Sequence, residues 1–296
     1  MRWPVPRGSC TKCLKCLASA AYTETVTQLR EIPTRGFHVI YSIMILSVAT
    51  QKGGVGKTTT AITLAAGLAR RGKRVLLIDL DWQANASKVL LADYGKLTRE
   101  ETIYITILKR RPLPVHETHI PNLMLVPSHI LLSDTDIELT TAKDHREARL
   151  SRMLDPIAAE YDHVIIDCPP ILSWITINAF TASDKVLVPV SPGSFELDST
   201  VQIGKTIEEV REYYHAGLRL AGFLFTMSDP TINSRTSLKI LRRTYQEQVL
   251  RTVIPRNTDI RDAHFNKTDI FSYKPDAKAA IAYGRLIDEL YYEEGS

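Results

Sequence analysis

The run Gln51-Lys52-Gly53-Gly54-Val55-Gly56-Lys57-Thr58-Thr59-Thr60 has the residue types and spacing to hold a polyphosphate. It follows a short apolar run, Ile45 to Ala49, and opens an amphipathic stretch, Lys57 to Arg71. A glycine loop between a strand and a helix start turns backbone N–H groups and the positive end of the helix toward one point, where an anion is stabilised. Gly53, Gly54, Val55 and Gly56 would bring the main chain up to the phosphates, with Thr59 just inside the helix. Lys57 would reach the β and γ oxygens, and the Thr58 hydroxyl would ligate Mg²⁺. The bland alternative is a Gly-rich turn with no ligand. A bare Gly-Lys-Thr triplet would not exceed it; the full loop in this context does. Gln51 stands where the common G-x4-G-K-[ST] loop has its first glycine, and Lys52 follows it. That sets a second cation at the mouth of the site, where an electrostatic role outweighs that of a solvated surface lysine.

Two acidic segments are placed to complete such a site. An apolar run ends in Asp79-Leu80-Asp81-Trp82-Gln83-Ala84-Asn85, and another in Asp167-Cys168-Pro169-Pro170. Carboxylates at the C-terminal ends of strands face the ligand crevice of an open α/β sheet. For Asp79 the reading as a strand-end turn residue is preferred to catalysis. Cys168 reads as a buried spectator thiol rather than a nucleophile.

The elements that must position these residues are legible as alternation. Apolar runs at Ile45 to Ala49, Arg74 to Ile78, Leu123 to Val126, His163 to Ile166, Lys185 to Val190, Leu220 to Phe225 and Val249 to Ile254 lack polar alternation. Such runs are strands buried on both faces. Helical patterns at Arg146 to Glu160, Trp174 to Ala182, Leu197 to Tyr214 and Ser234 to Gln248 separate the later ones. Strand–helix repetition predicts a doubly wound, mostly parallel α/β sheet flanked by helices. A last helix over Asp276 to Tyr292 is predicted to pack on it through Ala280, Ile281, Ile287 and Leu290. Residues 44–296 read as one domain and residues 1–43 as a loosely ordered extension, or as the product of an upstream start whose alternative is Met44.

Of 296 residues, 44% are hydrophobic and 24% charged, an ordinary globular composition that excludes a disordered chain. The net charge of +4 lies in residues 1–43, with six Lys/Arg against two Asp/Glu, so the main body is balanced. No run is long and apolar enough for a membrane span, and Lys12 and Lys15 interrupt what would be a signal-peptide core. A cytoplasmic protein is expected. Cys10, Cys13 and Cys16 form a C-x2-C-x2-C run that could supply three metal ligands, but a fourth is missing nearby. Within the balanced body, Arg235, Lys239, Arg242, Arg243, Arg251 and Arg256 face a single acid, Glu247. The cluster is either a solvated helix face or an electrostatic footprint for nucleic-acid phosphates, and no base-reading motif accompanies it.

The K-G-G-x-G-K-T-T loop resembles the deviant Walker A motif of the ParA/MinD family of ATPases. Residues 79 to 85 resemble that family's D-x-D-P-Q-x-N segment, with Trp82 in place of the proline and Ala84 in place of a common glycine. Val164-Ile165-Ile166-Asp167 is similar to its Walker B strand. Phe225-Thr226-Met227, Val253-Ile254-Pro255-Arg256, Phe271-Ser272-Tyr273 and Tyr283-Gly284-Arg285-Leu286 follow in the family's order, so the resemblance runs from about Met44 to Leu290. It implies a P-loop NTPase fold, ATP and Mg²⁺ as cofactors, and hydrolysis to ADP and phosphate. It also implies that Lys52 acts in trans across a dimer, that Asp81 lies near the attacking water, that Asp167 holds Mg²⁺ through water, and that Met227 and Pro255 lie near the adenine. The implied partners are a second subunit in the presence of ATP, double-stranded DNA bound without sequence preference, and a ParB-like adaptor that stimulates hydrolysis. The implied task is to segregate or position a plasmid or chromosome, with the protein itself associated with the nucleoid. Positioning of a protein organelle such as the carboxysome, or a small-molecule ligase reaction of the same superfamily, are the alternatives. An iron protein of the nitrogenase type is excluded because Cys168 is the main body's only cysteine. MinD-like membrane docking is not expected, because the chain ends in Glu289-Leu290-Tyr291-Tyr292-Glu293-Glu294 rather than in a basic amphipathic helix. A bacterial tyrosine kinase is supported only by Tyr291 and Tyr292.

Overall fold

Each apolar run read from the sequence forms a strand, and their order explains how distant acidic segments meet. The structure, a computed structural model, describes residues 43–193 and 197–292. The Cys10, Cys13 and Cys16 run, nearly all of the extension and the terminal residues 293–296 lie outside the described residues. The strands are β1 (Met44–Val48), β2 (Val75–Asp79), β3 (His116–Glu117), β4 (Leu123–Val126), β5 (His163–Asp167), β6 (Lys185–Val190), β7 (Arg219–Ser228) and β8 (Val249–Pro255). They form one eight-stranded sheet in the order β3-β4-β2-β5-β1-β6-β7-β8. Every neighbouring pair is parallel except β3 with β4. Val48 and Asp79 both stand in register with Asp167. The ends of β1, β2 and β5 therefore lie side by side, and the chain leaves β1 toward β2 on one side while β6 flanks it on the other. This is a topological switch point, where open sheets bind ligands.

The helices are α1 (Lys57–Arg70), α2 (Asn85–Leu90), α3 (Ile103–Lys109), α4 (Thr135–Thr141), α5 (Arg149–Ala158), α6 (Trp174–Thr181), α7 (Leu197–Tyr213), α8 (Ile232–Tyr245), α9 (Thr258–Phe265), α10 (Ile270–Tyr273) and α11 (Lys278–Tyr291). Successive side chains of a strand point to opposite faces, so β2 contributes Val75 and Leu77 to one core and Leu76 and Ile78 to the other. Ala61, Leu64 and Leu68 of α1, with Leu286 and Ile287 of α11, close the first face. Leu150, Phe180, Ile203 and Leu241, from α5 to α8, close the second. Helices α1 and α11 approach closely at Gly67, where a Cβ would fall on Ile287 and stand 2.9 Å from the Phe271 ring.

The closing helix is present, with one correction. Ile281 is 49% exposed, whereas Ala280, Ile287 and Leu290 are buried. The buried stripe runs through Ala279, Tyr283, Leu286 and Leu290, and residue 281 projects from the opposite side.

At the outer border of the sheet the register of β7 against β8 shifts between Phe223 and Phe225. There the Arg251 and Thr252 N–H groups donate to the two carboxylate oxygens of Glu289 on α11, at 2.7 and 2.9 Å. Opposite this shift, Gly222 has φ +147, and a Cβ on it would stand 3.0 Å from the Gln248 carbonyl oxygen and from Leu250. Gly222→Ala is expected to destabilise the fold by about 1–3 kcal/mol, through backbone strain and overpacking together. Urea unfolding tests this: the midpoint should fall with an unchanged slope. An unchanged midpoint would show that the two strands can separate there at no cost.

Candidate functional site

The loop after β1 is built as the sequence requires. Gly54 and Gly56 have φ values of +74 and +87, the left-handed region that side chains disfavour. Gly56 is the N-cap of α1 and supplies no side-chain acceptor, so the first N–H groups of the helix are not capped from within it. Thr226, at the end of β7, donates its hydroxyl to the Val55 carbonyl at 2.8 Å and fixes the loop against the sheet.

Lys57 is 6% exposed, and its ammonium donates to the Lys52 carbonyl at 3.0 Å. Burial holds its pKa below the usual lysine range, while the nearby Asp167 and Asp81 carboxylates act to keep it charged. Lys52 points outward: it is exposed, and its ammonium lies 3.5 Å from the Gly193 carbonyl in the loop after β6. The two lysines of one loop thus occupy different environments.

Three carboxylates lie together at the ends of β2 and β5, and two of them, Asp81 and Asp167, act on the Lys57 charge. Asp79 is fully buried; its oxygens accept from the Asp81 N–H at 3.1 Å and from the N–H and hydroxyl of Ser87 at 2.9 and 2.7 Å. Burial pushes it up to about 7. Ser87 in turn accepts from the Ser128 N–H at 2.9 Å. Asp79 is therefore an internal post that joins the end of β2 to α2 and to the loop after β4, a larger structural part than a turn residue. Asp81 is 6% exposed and accepts from the Gln83 N–H at 2.9 Å.

Asp167 is also fully buried, and neither of its oxygens makes a full hydrogen bond among the described residues. Burial, then the charge of Asp79, raises it well above the usual carboxylate range, and the Thr58 hydroxyl beside it favours the charged form. A buried carboxylate with two unpartnered oxygens next to a hydroxyl fits a small hard cation. No group of three or more His, Cys, Asp or Glu among the described residues could hold a metal ion by itself. An ion here would complete its shell with water and substrate oxygens. Cys168 is fully buried, and its thiol is pushed up by that burial, which removes it from nucleophilic chemistry.

A cleft of about 510 Å³ runs from Gly56 and Thr59 to Met227, Pro255 and the buried Tyr283. Met227 and Pro255 thus line one cleft with the start of the helix after the loop. Sequence reasoning missed Asn257, Arg261 and His264, which line the same cleft. Their signal was position: they follow the C-terminal end of β8, where open sheets place ligand contacts.

The basic cluster divides. Arg235, Lys239, Arg242 and Arg243 are exposed along one side of α8 at helical spacing, with no ion-pair partner among the described residues. Two of the six expected members do not join them. Arg251 lies on β8 with its guanidinium 3.7 Å from Glu289, and Arg256 lines the cleft beside Met227 and Pro255. Both follow the helix closely in sequence, but the strand carries each residue about 3.3 Å further from it. No helix among the described residues is long and apolar enough to cross a membrane.

A family model described as an AAA domain matches residues 43–220. The chain is 38% identical over 249 residues to the chromosome partitioning protein ParA of Myxococcus xanthus, covering 83% of this chain and 87% of that one. It is 37% identical over 253 residues to the sporulation initiation inhibitor protein Soj of Bacillus subtilis, covering 83% and 97%. Among solved structures it is similar to cobyrinic acid a,c-diamide synthase of Mycobacterium smegmatis with bound ADP and magnesium. That match has a TM-score of 0.72 and 32% identity, covering 83% of this chain and 93% of that one.

Proposed function

The chain belongs to the ParA/MinD family of ATPases, and from that membership we propose that it is a partitioning ATPase for a plasmid or chromosome. It hydrolyses ATP to ADP and phosphate, dimerises when ATP is bound, and holds double-stranded DNA of any sequence. A ParB-like adaptor triggers hydrolysis and release. The observation that supports this reading best is the pair of lysines in one loop: Lys57 buried among carboxylates, Lys52 exposed at the mouth. A single nucleotide needs the first. The second has work only if another phosphate site comes to it, which a two-fold dimer provides.

Within that reading the backbone of Gly53 to Gly56 and the start of α1, with Thr58 and Thr59, wraps the phosphates, and Lys57 holds the β and γ oxygens. Thr58 and, through water, Asp167 would hold Mg²⁺, which would offset charge on the phosphate oxygens. Asp81 orients the attacking water, and Lys52 reaches the partner's nucleotide. Met227 and Pro255 bound the adenine. The exposed side of α8, with Arg235, Lys239, Arg242 and Arg243, meets DNA phosphates, and the protein works in the cytoplasm on the nucleoid.

The similarity to a diamide synthase keeps a ligase reading in view. The two separate by what accelerates hydrolysis: DNA with an adaptor in one case, a carboxylic acid with an amine donor in the other. Dimerisation is tested by light scattering on Asp81→Ala, which should bind ATP without turning it over. The mass should double with Mg-ATP and remain that of one chain with ADP. A variant that binds ATP and stays monomeric would refute the sandwich dimer.

A further inference from the structure

The turn after β2 is where this chain departs from the family's segment, at Trp82 and Ala84, and it is held in an unusual way. Ala84 has φ +53, a left-handed conformation that a residue with a Cβ disfavours. Its N–H donates to the Asp81 carbonyl at 2.7 Å, closing the turn, while the Gln83 N–H donates to the Asp81 carboxylate at 2.9 Å. A turn strained at Ala84 needs an outside hold. Lys88, exposed on α2, supplies one: its ammonium donates to the Gln83 carbonyl at 2.7 Å, the length of a strong charge-assisted bond. Gln83 is thereby gripped on both sides, its N–H by Asp81 and its carbonyl by Lys88. Burial raises Asp81; the Gln83 N–H and the charges of Lys57 and Lys88 oppose it.

We infer that Lys88 is a positioning residue for hydrolysis, whose grip on the Gln83 carbonyl keeps the Asp81–Ala84 turn closed and the Asp81 carboxylate aimed at the attacking water. The inference rests on the proposed ATPase reading. If Lys88 is removed, the left-handed strain at Ala84 favours opening of the turn, and the Gln83 N–H leaves Asp81. Phosphate contacts from the loop after β1 are untouched, so binding should survive while turnover falls.

The test uses the full chain and its Lys88→Met and Lys88→Arg variants. Steady-state hydrolysis is measured with Mg-ATP, affinity with a fluorescent ATP analogue, and folding by thermal melting. Lys88→Met should lower kcat about tenfold while KM and analogue affinity stay within about twofold, because only the aim of Asp81 is lost. Lys88→Arg, which also donates to a carbonyl, should restore most of kcat. An unchanged kcat in Lys88→Met, an equal loss in Lys88→Arg, or a loss matched by weaker binding and a lower melting temperature would each overturn the inference. A wild-type protein that binds ATP and never hydrolyses it would instead overturn the function from which the inference starts.

Discussion

Lys57→Ala should abolish turnover and weaken ATP binding by at least about 100-fold, the effect of losing one buried charge-assisted contact of about 3 kcal/mol. The loss is compounded by what stays behind. Lys57 is the buried cation set beside Asp81 and Asp167, and without it a polyphosphate would meet those carboxylates with no buried cation between. The fold itself should persist, since burial disfavours the Lys57 charge and its removal takes that unfavourable burial away. Titration with ATP alongside a thermal melt measures both effects. A folded variant with wild-type affinity would remove Lys57 from the site.

Charge reversal of Arg242 and Arg243 to Glu should weaken DNA binding at least about 100-fold on every duplex, because a dimer loses four phosphate contacts and gains four repulsions. The logarithm of affinity should fall with the logarithm of salt at a slope of about −0.9 per contact. In the wild type, Arg235, Lys239, Arg242 and Arg243 from each of two subunits set the steepest slope at about −7, and the reversal should at least halve it. Nucleotide binding should not change, since α8 contributes no lining to the cleft. Arg256 is a poor choice for the same experiment because it does line that cleft, and its loss would mix the two readouts. The measurement uses Asp81→Ala with ATP on unrelated duplexes at several salt concentrations. Insensitivity to salt, preference for one duplex, or equal affinity with ADP would count against DNA binding by this face.

The site was legible where its parts adjoin in sequence and opaque where the fold assembles them. Strand, loop and helix start are continuous from Met44 to Arg70, so the phosphate loop could be read whole. The sheet was legible because β1, β2 and β5 are largely buried, which leaves runs dominated by Val, Ile and Leu without polar alternation. Asp79 could not be read, because its partner Ser87 and the Ser128 beyond it lie eight and 49 residues away. Short elements such as α2, α3, α4 and β3 escaped, since a six- or seven-residue helix or a two-residue strand completes too little of its period to register. Arg251 and Arg256 were grouped with α8 by sequence proximity alone, which the path of β8 undoes.

The hold of Glu289 on Arg251 and Thr252 bears on what this protein can become in a crowded solution. A sheet's outermost strand offers its unpaired N–H groups as a template for another chain, the route by which sheet proteins exchange segments and seed fibrils. Here two of those donors are saturated by a side chain from the same molecule, and the local bulge bends the strand away from a flat template. Growth by strand donation is closed along that stretch. Any association of two copies would then use helix and loop surfaces rather than this stretch of the sheet border.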